Sequence, residues 1–190
     1  MTSEHTPSPV KRLERQSLAR LEGFAELNAD EIRKLPPAAL EGLDRFGIIS
    51  VIDTNVHDDF KTQVLTRIDP DGVQQVLASV LFDKGQKISG AILQLTEGEL
   101  IGRTTFTNHA FGDRTVLYVG STNTWAKQRE GLGEERLRII NEYTKMKFGM
   151  PLCSSADPSD SATALWESLL RRGLAEKRSL EDGTMIYSML

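Results

Sequence analysis

The sequence predicts a mixed α/β (α+β) domain preceded by an N-terminal helical extension. Three observations carry that expectation. Apolar residues recur at helical spacing before residue 45, and the period shortens to that of strands between residues 48 and 124. After residue 126, glycine-bounded helical stretches alternate with short apolar runs. The composition agrees: 190 residues, 39% hydrophobic and 26% charged, are enough to build one ordinary core without a disulfide or a metal.

Residues 1–9 hold two prolines and no apolar cluster, and read as a disordered tail without the apolar centre of a signal peptide. Val10, Leu13, Leu18, Leu21, Phe24 and Leu27 then recur on one side of a helix, with charges between them. Asn28 can cap a short helix, Ala29–Leu35, which Pro36-Pro37 stops, and Ala38–Arg45 forms a third piece ending at Gly47. Residues 10–45 therefore read as a helical extension, either a layer on the core or an arm for a protein partner or a homodimer.

Ile48–Ile52 and Gln63–Ile68 read as strands, the second closed by the turn Asp69-Pro70-Asp71-Gly72. Val73–Phe82 fits a return strand or a helix, with strand the better fit. Ile88–Leu95, Glu99–Thr107 and Thr115–Thr124 continue the β-rich stretch, broken at Glu97-Gly98 and at Phe111-Gly112-Asp113. Gly131-Leu132-Gly133 opens the helix Glu134–Phe148, whose apolar stripe is Leu137, Ile139, Ile140, Tyr143 and Met146. Pro151-Leu152-Cys153 is a short strand, and Asp157 or Ser159 caps a helix that runs to Arg172. Leu174–Lys177 and Met185–Leu190 close the chain as strands.

Several function classes drop out early. With 23 basic against 27 acidic residues the net charge is −4, so broad electrostatic attachment to nucleic acid is not indicated. One cysteine, Cys153, excludes an internal disulfide and a cysteine-rich zinc site, and His5, His57 and His109 are scattered. No apolar run reaches the roughly 18 residues of a membrane span. A cytoplasmic protein with no membrane partner is the expectation.

The informative segment joins a strand, Thr115–Thr124, through Gln128-Arg129-Glu130-Gly131-Leu132-Gly133 to a helix. Glycines at a helix start let backbone N–H groups converge on a phosphate, and the helix dipole adds positive charge at the same point. Neither a Walker loop nor a dinucleotide fingerprint is present. Gln128-x-x-Gly131-x-Gly133 resembles the Gln/Arg-x-x-Gly-x-Gly/Ala signature of the GNAT N-acetyltransferase superfamily, and the order of elements over residues 100–190 follows it. The helix Ala164-Leu165-Trp166-Glu167-Ser168-Leu169, ending at Arg172-Gly173, is similar to those of GNAT-like proteins encoded by phages.

The resemblance implies a mixed, mostly antiparallel central sheet flanked by helices over residues 46–190, with two splayed parallel strands near 116–124 and 151–155. It also implies acetyl-CoA as cofactor and a primary amine as acceptor. The diphosphate would be held by backbone from Arg129 to Glu134 (Arg129, Glu130, Gly131, Leu132, Gly133, Glu134), led by Gln128. The pantetheine arm would pair with the edge at Ser121 to Asn123, where a backbone N–H would meet the developing oxyanion, and Ser161 would sit beside the cofactor. Two departures stand out. Glu134 and Glu135 follow the loop and would repel a diphosphate unless turned outward, and Trp166 stands where many members have a tyrosine acid. Candidates for proton transfer are Glu97, Glu99, His109, Asp113 and Tyr118. Trp125 fits either the cofactor groove or a cap on the core, and Arg171, Arg172, Lys177 and Arg178 form a basic cluster. The alternative to an acyltransferase is a GNAT-like protein without catalysis that engages a macromolecule through residues 10–45.

Overall fold

Local signals set the first elements. The computed structural model describes residues 20–45, 49, 61–82, 86–111, 114–125 and 131–190. The tail and the start of the first helix lie outside them. Helix remains at Arg20 and Leu21 and ends at Gly23, whose φ of 79° is left-handed. Phe24 and Leu27 are therefore not on that helix. The chain turns there and lays β1 (Ala25–Glu26) against the edge of β2 (Lys61–Ile68). Asn28 and Glu31 form a reciprocal capping box on α1 (Ala29–Ile32), which ends before the expected Leu35. Pro37 occupies the first position of α2 (Pro37–Asp44), where a missing N–H costs nothing. Of the expected strand Ile48–Ile52 only Ile49 is described; it is helical and packs on the core.

Strand alternation and tight turns then produce an antiparallel run. β2, β3 (Gln74–Phe82), β4 (Lys87–Thr96), β5 (Glu99–Phe111) and β6 (Arg114–Thr124) pair in sequence order. After β6 come α3 (Leu132–Phe148), β7 (Leu152–Cys153), α4 (Asp160–Arg171), β8 (Ala175–Ser179) and β9 (Met185–Met189). Ser159, one of the two expected caps, caps α4 through its hydroxyl. Among the described residues nine strands make one sheet in the order β1-β2-β3-β4-β5-β6-β7-β9-β8. Its parallel joint is β6 with β7, at Leu117 opposite Leu152 and Tyr118 opposite Cys153. The sheet is mixed and mostly antiparallel with helices on both faces, the GNAT-like architecture that the resemblance implies.

Strand parity separates two cores. On one face α3 and α4 bury Leu137, Ile140, Tyr143, Trp166 and Leu169 against Leu77, Ile92, Phe106 and Leu117. On the other, Ile32, Leu35, Ala39 and Leu43 cover Val64, Val76, Ala78, Val80, Ala91 and Leu93. Met146, expected in the α3 stripe, is exposed; Phe148 takes that place, its ring meeting Tyr143 edge-on at 5.9 Å. No helix among the described residues is long and apolar enough to cross a membrane.

Candidate functional site

The single parallel joint opens the sheet. Past Cys153 the chain turns to β9, with the Ser154 N–H donating to the Tyr187 carbonyl at 2.8 Å. Among the described residues the edge of β6 from Val119 to Thr124 therefore has no strand partner on that side. A bulge sharpens the splay: Thr105 pairs with Ser121 and Phe106 with Val119, so Gly120 is an extra residue. Thr105 Oγ1 accepts the Ser121 N–H at 2.9 Å and holds the bulge in place.

A groove of about 710 Å³ follows this edge. Its walls are Val119–Thr124, the glycines Gly131 and Gly133, and the start of α4 from Asp157 to Ala162; Leu165 and Trp166 floor it. Two helix N-termini thus face one cavity, each with partial positive charge. Gly131 caps α3 with a φ of 98°, a conformation that carries a steric penalty for any other residue. Gly133 has ordinary φ, and a β-carbon there would make ordinary contacts, with Thr122 Cγ2 at 3.7 Å and Arg136 Nη2 at 3.9 Å.

The two acids after the glycines face away. Glu134 pairs with Arg138 at 2.8 Å and with Arg172 of the α4 C-terminus. Glu135 accepts from Gln75 Nε2 at 3.0 Å and Gln94 Nε2 at 3.3 Å. Both acids are thus paired outside the groove, Glu134 by Arg138 one turn on and by Arg172, and Glu135 by Gln75 and Gln94.

Of the expected cofactor contacts, Ser121, Asn123, Gly131, Gly133 and Ser161 line this one groove. Leu132 is anchored toward the core, at 9% exposure, and Glu134 is tied up as described. Gln128, Arg129 and Glu130 lie outside the described residues, as does Asp113. Glu97 and Glu99 sit at the β4–β5 hairpin. Gly102, three residues on from Glu99, pairs with Thr124 at the end of the groove, and neither acid is among the residues that line it. The structure does not bring those two acids to the groove.

His109 and Tyr118 do come together, on the opposite face of the same splay. Their rings meet edge-on, centroids 6.2 Å apart. They line a second pocket of about 220 Å³ with Val116, Ser154, Ser155, Ala156 and Ile186. Ser155 lines both cavities, so groove and pocket adjoin where β6 and β7 part. Ser154 and Ser155 were not among the expected residues; nothing in their local sequence marks them, and only the turn of the chain toward β9 places them here.

The remaining candidates resolve simply. Trp125 neither lines the groove nor caps the core: it is 53% exposed, with the Arg103 guanidinium over its ring at 5.7 Å. Trp166 is buried and stacks on Tyr187 at 5.9 Å. Tyr187 donates to Glu167 at 2.5 Å, a bond that raises the phenol above its usual range, and it is not a groove residue. Arg172, Lys177 and Arg178 each meet a carboxylate and do not converge on an anion. Burial raises the Cys153 thiol, which suits a core residue rather than a nucleophile. Among the described residues no cluster of histidine, cysteine and acids can hold a metal.

The groove fits coenzyme A on three counts. Its volume is within the range of small-molecule sites, its β6 edge offers unpaired backbone to an extended arm, and its glycine-led helix start offers N–H groups to a diphosphate. No family model matches the chain, and no curated protein matches it in sequence. Among solved structures it is similar to ElaA of Escherichia coli, with 16% identity and a TM-score of 0.42, over 87% of this chain and 96% of that one. The fold assignment rests on the strand order and the single parallel splay rather than on that likeness.

Proposed function

We propose that the protein is an acyltransferase that moves an acetyl group from acetyl-CoA to a primary amine. The observation that carries this reading is the groove bounded by the open β6 edge on one side and the glycine-led start of α3 on the other. Acetyl-CoA would supply an acetyl group activated as a thioester. Gly131, Gly133 and the first turn of α3 would hold the diphosphate, the β6 edge between Ser121 and Asn123 would pair with the pantetheine arm, and Ser161 would add a hydroxyl from α4.

The chain's own groups then account for the chemistry. The Ser121 N–H is engaged by Thr105, and strand alternation directs the next amide, that of Thr122, to the open edge as an oxyanion donor. The acceptor enters from the opposite face, through the pocket that adjoins the groove at Ser155. His109 and Tyr118 are the titratable side chains lining that pocket. His109 takes the proton from the attacking amine, and Tyr118 supplies one to the departing sulfur. Alignment of the two reactants across the splay contributes the rest.

The test is thiol release from acetyl-CoA in the presence of a panel of primary amines: amino sugars, polyamines, peptide N-termini, lysine peptides and aminated nucleosides. Amine-dependent release that falls about a hundredfold in His109→Ala, at unchanged coenzyme A affinity, supports the assignment. Equal rates for His109→Ala and the unaltered protein contradict the role given to His109. Cofactor binding without release across the whole panel contradicts transfer.

A further inference from the structure

Among the described residues Arg136 is the largest fully buried side chain, with no exposed surface, and its hydrogen bonds go to no carboxylate. Its guanidinium instead spans three strands. Nε donates to Thr104 Oγ1 of β5 at 2.9 Å, and Nη1 to Gln94 Oε1 of β4 at 2.5 Å. Nη2 donates to the Asn123 carbonyl at 3.0 Å and to Thr124 Oγ1 at 2.9 Å, both on β6. Glycine at 102 leaves room for it: a β-carbon there would stand 2.2 Å from Nη1 and displace the guanidinium from this position.

Such a group is expensive for folding. Burying a cation costs several kcal/mol unless its donors are met, and an apolar side chain of like volume is often at least as stable. Residue 136 lies on the inner face of α3 with Leu132, Ile140 and Tyr143, where leucine or methionine would pack without that cost. Burial lowers the guanidinium to about 10, still far above neutrality, so it stays charged. The energetic cost needs a use.

Its position supplies one. Arg136 sits one turn into α3, and its Nη2 is 3.9 Å from where a Gly133 side chain would begin. The same Nη2 grips the backbone of β6 at Asn123, next to the open-edge amide of Thr122. We propose that Arg136 is a positioning residue that fixes the β6 edge against the glycine-led turn of α3, setting the spacing at which one ligand meets both. This inference rests on the coenzyme A reading of the groove. Arg136 touches no reacting atom; it acts through Asn123 and Thr124, holding the edge in register for an extended arm.

The experiment is calorimetric titration with coenzyme A, and with its nucleotide half, which lacks the pantetheine arm. The full chain is compared with Arg136→Met and Arg136→Lys. Arg136→Met is expected to lose at least tenfold in coenzyme A affinity and less than threefold for the nucleotide half. Arg136→Lys is expected not to rescue, because an ammonium has no planar fork to reach three strands. Gln94→Met, a change of similar volume on β4 outside the groove that deletes the acceptor of Nη1, carries the test should Arg136→Met not fold; it is expected to lose about threefold for coenzyme A alone. Unchanged coenzyme A affinity in a folded variant, an equal loss for both probes, or full rescue by lysine would each overturn the positioning role. Absence of coenzyme A binding by the unaltered protein would instead overturn the cofactor reading itself.

Discussion

Arg20 reaches from the N-terminal segment to Glu142 in the middle of α3, pairing a guanidinium 36% exposed with a carboxylate only 6% exposed. Burial raises the Glu142 carboxyl above its ordinary range, and Arg20 pulls it back. A carboxyl raised in the folded state adds stability that is full below its unfolded range and is lost as pH rises through the folded value. Removing Arg20 raises that value further. Arg20→Leu should therefore cost about 2 kcal/mol near neutral pH, less than for a wholly buried pair because Arg20 is partly solvated. The penalty should shrink as the pH falls toward about 5. Urea unfolding at both pH values measures it, and a penalty that grows on acidification would contradict the account.

The helices before β2 are part of the core rather than a free arm, as far as they are described. Ile32, Leu35 and Leu43 are buried against the sheet. At about 1.5–3 kcal/mol each, their burial approaches the whole stability of an ordinary domain. A chain beginning at residue 46 should thus aggregate or unfold, and Leu43→Ala should cost about 2–5 kcal/mol. Light scattering with thermal unfolding reads both. A stable monomer from residue 46 onward would return residues 20–45 to the role of an arm for a partner.

Trp166→Phe should leave transfer within about threefold while lowering stability by about 1–2 kcal/mol, because the indole packs on Tyr187 and has no titratable proton to give. Steady-state kinetics and thermal unfolding on the same preparation separate the two effects. A hundredfold fall in kcat at unchanged stability would mean that the indole N–H orients a reactant.

Much of the fold was legible because its signals are local. The strand period marks β2 and β4 to β6, Asn28 marks a cap, and the glycines at 131 and 149 bracket α3, whereas Val73–Phe82 fits strand or helix until its pairing makes it β3. The first helix was read too long because Phe24 and Leu27 keep apolar spacing across Gly23, and spacing alone does not register a left-handed turn. The glycine side of the groove was legible for the same local reason. The rest depends on register and distance. His109 and Tyr118 share a face only because of how β5 pairs with β6, and Glu134 is turned outward by Arg172, 38 residues on. Arg136 reads in the sequence as a gap in an apolar stripe. The available signal was that gap taken together with Gly102 inside a strand, two residues that only the folded sheet brings together.

Coenzyme A is proposed to lie between the β6 edge and the glycines of α3, and Gly133 is the glycine of that turn with ordinary backbone geometry. Gly131 needs its left-handed φ, whereas a β-carbon at Gly133 stays at ordinary contact distance from Thr122 and Arg136. Calorimetric titration of acetyl-CoA into the full chain and into Gly133→Val is the most direct measurement. The account predicts one-to-one binding to the unaltered protein and at least a tenfold loss in the variant, about 1.4 kcal/mol, with an unchanged circular dichroism spectrum. Equal affinity in a folded Gly133→Val protein, or no binding by the unaltered chain, would contradict it.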